Sequence, residues 1–239
     1  MDILFQGSVG KHLDRPEDNE DAFFVAGDTG RIVLSDGASE SYDGKNWARL
    51  LTEALAEAAP SQELLNACQA TFGELHDQAS MSWSKAAAFE RGSFATALIA
   101  QEDLAEQTVT IQCVGDSCAV LTDGARLLET LPYQASEQFE GKPTLFSTLP
   151  QHNLNLLDSG AFEVPEVVWS YAETRPLFLL CMTDALGAWL LRNMEAGNSA
   201  ALETLLAVRS NEELAELVER EREAKNMRRD DSTLVIALL

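Results

Sequence analysis

Apolar residues run unbroken from Leu177 to Met182, then recur at Leu186, Trp189, Leu190 and Met194. The period changes at Thr183-Asp184, from that of a buried strand to that of a helix. Ile32-Val33-Leu34-Ser35, Phe23-Phe24-Val25 and Ser232-Thr233-Leu234-Val235-Ile236 are further short runs, and Val109, Ile111 and Cys113 alternate along Thr108 to Val114. All of these predict strands. Trp47, Leu51, Ala54, Leu55 and Ala58 form one helical stripe, and Leu64, Leu65, Cys68, Phe72, Leu75 and Ala79 form a second that the pattern extends to Phe89. Pro60-Ser61 separates these two helices and supplies a cap for the second.

Strands are predicted again from Ser93 to Ala100 and on either side of Asp123-Gly124, a strong hairpin signal. Helices follow from Asn198 to Val208 and from the capping box Ser210-Asn211-Glu212-Glu213 onward. At the start, Ile3-Leu4-Phe5 reads as a short strand ending in a turn at Gly7 and Gly10. Pro132 to Pro165 has no period; Phe139, Phe146 and Phe162 are expected to pin this excursion onto the body. With no repeat or linker, the pattern predicts one domain over residues 1–239. Its element order suggests an α+β sandwich with helices outside two packed sheets.

Five predicted strand edges carry an acid: Asn19-Glu20-Asp21, Asp36-Gly37, Gly115-Asp116, Thr183-Asp184 and Asp230-Asp231. Any one of them is explained by turn chemistry, and Asp184 alone by helix capping. Five in succession suggest a carboxylate cluster assembled from distant parts of the chain. The formal charge of -22 argues against nucleic acid or an anionic membrane surface as partner. A phosphate substrate would also be repelled unless hard cations sat among the acids, and oxygen-only sites suit magnesium or manganese. Cys68, Cys113, Cys118 and Cys181 form no C-x-x-C pair, and His12, His76 and His152 are scattered, which disfavours a zinc site. No apolar run is long enough for a membrane helix and no leader pattern opens the chain, so the cytoplasm is the default location.

Asn19-Glu20-Asp21-Ala22-Phe23, Ser35-Asp36-Gly37, Gly92-Ser93-Phe94-Ala95-Thr96, Val114-Gly115-Asp116-Ser117, Thr183-Asp184 and Asp230-Asp231-Ser232-Thr233 together resemble the successive motifs of the metal-dependent type-2C (PPM-type) serine/threonine protein phosphatases, in a bacterial branch of that family. The resemblance implies a four-layer αββα sandwich of two antiparallel sheets flanked by helix pairs. It implies two Mn2+ or Mg2+ ions bridged by Asp36, one completed by Asp184 and Asp230, the other by Glu20 and the carbonyl of Gly37. Asp21 would orient metal-bound water, and Asp116 with Asp184 matches the place of a weaker third ion in some bacterial members. Substrates would be phosphorylated proteins, with a kinase-linked signalling partner, and the protein a monomer.

Two positions depart from the pattern. Pro16 stands where many members carry a phosphate-gripping arginine, leaving adjacent Arg15 as the candidate substitute if the loop shifts. Ala38 replaces a histidine that many members place after the Asp-Gly pair, so the leaving alkoxide would take its proton from metal-bound water or from His12. These departures keep open an alternative reading, a catalytically weak or inactive module that binds a (phospho)protein partner. A glycosidase using two carboxylates would leave the other motifs unexplained.

Overall fold

The computed structural model describes residues 1–158, 161–162, 164–171 and 176–239. In chain order the elements are β1 (Asp2–Val9), β2 (Asp21–Ala26), β3 (Arg31–Asp36), α1 (Gly44–Glu57), α2 (Gln62–Glu74), α3 (Trp83–Phe89), β4 (Phe94–Ala95), β5 (Ala97–Asp103), β6 (Thr108–Val114), β7 (Cys118–Thr122) and β8 (Leu127–Leu131). After them come β9 (Phe146–Ser147), β10 (Leu157–Asp158), β11 (Ala161–Phe162), β12 (Glu166–Ser170), β13 (Phe178–Met182), α4 (Asp184–Glu195), α5 (Ala200–Ala207), α6 (Asn211–Glu223) and β14 (Ser232–Leu238).

Two five-stranded antiparallel sheets, ordered β1-β14-β13-β7-β8 and β12-β6-β5-β3-β2, pack face to face. Covering both faces of both sheets explains the continuous apolar runs, because successive side chains point to opposite sides and both sides are dry. Ile32 and Leu34 enter the layer between the sheets with Leu179, Cys181, Val235 and Ala237. Their neighbours point outward. Val33 meets Trp47, Leu51 and Phe72 of the first helical layer, while Leu180, Met182, Leu234 and Ile236 meet Leu186, Leu190 and Leu217 of the second. Each such fully buried side chain contributes roughly 1.5–3 kcal/mol.

The αββα layering is therefore as the sequence predicts, although the β1-β14-β13-β7-β8 sheet is covered by three helices, α4 to α6, instead of a pair. Two other expectations need correction. The second long helix ends at Glu74, and just beyond it Asp77 accepts a hydrogen bond from the Ala79 N–H; Ser82 then caps the separate α3 by accepting from the Lys85 N–H. Short polar side chains here compete for backbone donors, which ends the helix. β1 also runs through Gly7 to Val9, because the glycine leaves room for Asn211 at the start of α6 to bond the strand edge: Ser8 N–H donates to Asn211 Oδ1 (3.1 Å), and Asn211 Nδ2 donates to Ser8 O (3.1 Å).

Phe139 and Phe146 do pin the excursion. Phe139 stacks edge-on with Tyr133 at 4.8 Å, and a Cβ at Gly187 of α4 would lie 3.0 Å from its ring. The Phe146 carbonyl accepts the Trp47 indole N–H at 2.9 Å, on the opposite helical layer. The side chain of Phe162 lies outside the described residues.

Candidate metal centre

The acids meet where strands of both sheets end on one edge of the sandwich. Asp36 ends β3, Asp184 is the first residue of α4 directly after β13, Asp116 follows β6, and Asp230 precedes β14. These four side chains, with Gly37, line one pocket of about 310 Å³. Gly37 is required there: a Cβ would lie 2.5 Å from the Gly44 carbonyl oxygen and 2.9 Å from that of Glu20. Three chain segments thus pass too close for any side chain.

Around this pocket the polar groups are locally organised. Asp21 lies opposite Asp36 in the β2–β3 register. Its Oδ2 accepts from the hydroxyls of Thr183 (3.1 Å) and Thr233 (2.7 Å), while its buried Oδ1 has no partner. Thr183 precedes α4 but makes no side-chain cap to that helix, because its hydroxyl serves Asp21 and accepts the Thr233 N–H (2.9 Å). The pair Asp230-Asp231 divides its work. Asp231 accepts the backbone N–H of Lys11 (2.6 Å) and of Glu20 (2.8 Å), tying the N-terminal loop to β14, and Asp230 is the member that reaches the pocket.

Electrostatics follow from burial and crowding of like charge. Burial, then the neighbouring Asp21, Asp230 and Asp116, push the Asp36 carboxyl well above its ordinary value. Burial raises Asp116 as well, and lifts Asp21 to about 7 against the pull of the Thr233 hydroxyl. One cation opposes this. The Arg228 guanidinium pairs with Asp184 and lies 3.7 Å from Asp230 Oδ2, and its charge lowers both Asp36 and Asp116.

Arg228 was not among the sequence candidates. Its available signal was the Arg228-Arg229 run directly before the acidic pair. Glu20 and Arg15 are not in the aspartate pocket. Glu20 accepts from Lys11 Nζ (2.6 Å) and from the Ser39 hydroxyl, in an adjoining recess whose lining shares Ser39 with the aspartate pocket. Arg15 and His12 line that same recess; Arg15 is half exposed and pairs with Asp18 at 3.0 Å.

The donor set would suit hard divalent cations: the side chains gathered here are carboxylates, and Asp184 Oδ1 is buried without a hydrogen-bond partner. Among the described residues no three His, Cys, Asp or Glu side chains are arranged as a ready metal-binding group. Arg228 pairs with Asp184 and Lys11 with Glu20, so positive side chains lie beside two of these acids. No cysteine is available as a nucleophile. All four thiols are free and buried, and burial pushes Cys68 up to about 11 and Cys118 up to about 12.

Neither a protein-family model nor a curated protein matches the chain. Solved structures do. The photosystem II phosphatase PBCP is 15% identical, with 98% of each chain covered and a TM-score of 0.62. The serine/threonine phosphatase Stp1 from Staphylococcus aureus is 16% identical, covering 100% of this chain and 97% of its own, with a TM-score of 0.62. The catalytic domain of the serine/threonine protein phosphatase PstP, in complex with two manganese ions, is 16% identical, with 99% of each chain covered and a TM-score of 0.58. The chain therefore has the fold of the PPM-type serine/threonine phosphatases. No helix among the described residues is long and apolar enough to cross a membrane.

Proposed function

We propose that the protein is a metal-dependent phosphatase acting on phosphoserine and phosphothreonine in proteins. The observation that carries this reading is the gathering of Asp36, Asp116, Asp184 and Asp230, from four separate segments, around one pocket in a fold shared with such enzymes. Asp36 would hold two cations in common, with Asp184 and Asp230 serving one, and Glu20 with the Gly37 carbonyl serving the other. Asp116 with Asp184 would serve a weaker third. The two manganese ions of PstP support manganese or magnesium as the ions. When bound, such a pair lowers the pKa of water enough to supply hydroxide near neutral pH and neutralises charge on the phosphoryl oxygens.

The chain's own groups have distinct tasks in this scheme. Asp21, fixed by Thr183 and Thr233, orients water on the inner side of the site. Lys11 pairs with Glu20, and Arg228 with Asp184, so these carboxylates would have to leave their cationic partners to hold a metal. Arg228, on the wall of the aspartate pocket, would then be placed to meet phosphoryl oxygens, a role the sequence had suggested for Arg15. His12 stands in the adjoining recess as a candidate proton donor to the leaving alkoxide. In this reading the protein acts as a monomer, in the cytoplasm, on substrates of a partner kinase.

The test is hydrolysis of a phosphopeptide with manganese. Activity should vanish with a chelator and fall by at least about a hundredfold in Asp36→Asn and Asp184→Asn, the scale expected when a key electrostatic group is lost. Variants that match the wild type would reject the proposal and favour the non-catalytic binding module.

A further inference from the structure

Beside the aspartate pocket lies a second recess, of about 360 Å³, whose charged lining residues are Arg192, Arg222, Lys225, Arg228 and Arg229. No carboxylate lines it. In a chain with 39 acids and 17 lysines and arginines, this lining concentrates cations, three of which are already paired: Arg222 (2.7 Å) and Arg229 (3.7 Å) with Glu219, and Arg228 with Asp184.

Helix ends explain part of this arrangement. Arg192 and Arg222 lie in the last turns of α4 and α6, where cations suit the helix dipole, and Arg222 also donates to the Gly10 and Asp230 carbonyls. Two features go further. Arg222 is only 6% exposed and its guanidinium is fixed by Glu219 and by the Gly10 and Asp230 carbonyls, whereas Arg192 and Lys225 make no ion pair with an acid among the described residues. Lys225 holds φ +60 at the end of α6, with its N–H on the Arg222 carbonyl (3.0 Å) and the Asn226 N–H on that of Glu221 (2.9 Å). This is a Schellman-type stop, where glycine is the usual choice and a lysine is strained.

Arg228 joins the two cavities: it lines the recess and pairs with Asp184, a wall of the aspartate pocket. We propose that the recess binds an acidic side chain flanking the phosphorylated residue of a peptide substrate, giving the site a preference for acidic sequence context. The identity of the ligand as a phosphopeptide rests on the phosphatase reading; the anion preference rests on the recess itself.

Fluorescence anisotropy of the full chain, in chelator, with a labelled phosphoserine peptide flanked either by glutamates or by alanines tests this. The glutamate peptide should bind about tenfold more tightly at low salt, on the scale of one charge-assisted contact, and the advantage should shrink as salt screens it. Lys225→Gly should raise the melting temperature by relieving the strained turn while cutting the glutamate preference; Arg192→Gln should cut it too. A lysine that served only to end the helix would give the first effect without the second. Equal binding of the two peptides, or a preference intact in both variants, would overturn the inference. Failure of the two readings is distinguishable: acidic preference without metal-dependent turnover counts against the phosphatase, and turnover without acidic preference counts against the recess alone.

Discussion

Arg228 is the side chain on which the state of the aspartate pocket turns. Its guanidinium pairs with Asp184 and lies 3.7 Å from Asp230, the two carboxylates proposed to hold one of the cations, so guanidinium and cation would compete. Arg228→Gln should therefore tighten manganese binding, measured by titration calorimetry, by something on the order of tenfold, about 1.4 kcal/mol. The same variant should turn over phosphopeptide more slowly, because the guanidinium is then missing from the phosphoryl group. Weaker manganese binding in the variant would contradict the competition. At this scale the sequence was partly legible. Asp36, Asp116, Asp184 and Asp230 announced themselves because each ends or adjoins a buried strand. Arg228 did not, since an exposed arginine in a connecting segment follows no period, and only its contacts across the fold reveal it. Glu20 and Arg15 were recognisable as residues, but their facing toward Lys11 and Asp18 depends on loop geometry that no spacing encodes.

At the level of elements, the strands were the easiest to read and the excursion the hardest. Strands buried on both faces appear as plain apolar runs, whereas the elements described between Pro132 and Pro165 are 3-10 turns and two-residue strands too short for a pattern. Phe139 anchors the first of these turns, Ser136–Glu140, on α4, the helix that begins with Asp184. Ser136 reinforces the contact, its N–H and hydroxyl each donating to Glu195 at 2.6 Å. Phe139→Ala should cost about 3–5 kcal/mol in denaturant unfolding, as for a large buried ring, and should open the excursion to limited proteolysis before global unfolding. Cleavage unchanged from wild type would mean that the other contacts suffice to hold the segment.

The sandwich as a whole is fastened at its edges by polar ties as well as by its three apolar layers. Behind β12, the buried Tyr171 hydroxyl donates to Glu102 Oε1 at 2.8 Å, and Glu102 belongs to β5 in the same sheet. Burial, then the hydrogen bond and charge of Glu102, push the phenol up to about 12, above an unfolded value of about 10. The folded state thus favours the neutral phenol, so its contribution is complete below pH 10 and is lost as pH rises from 10 to 12. Urea midpoints measured across that range should fall in the wild type, and Tyr171→Phe should lower the plateau by about 1 kcal/mol while flattening the alkaline decline. A decline equally steep in the variant would place its cause elsewhere.

The same whole-molecule view governs the central claim, because the aspartate pocket exists only where the edges of both sheets meet. Diffraction from crystals soaked in manganese, with data collected at its anomalous edge, tests that claim most directly. Two anomalous peaks are expected on either side of Asp36, one near Asp184 and Asp230 and the other near Glu20 and the Gly37 carbonyl, with Arg228 turned away from Asp184. Absence of peaks at millimolar manganese, with Arg228 still seated on Asp184, would contradict it.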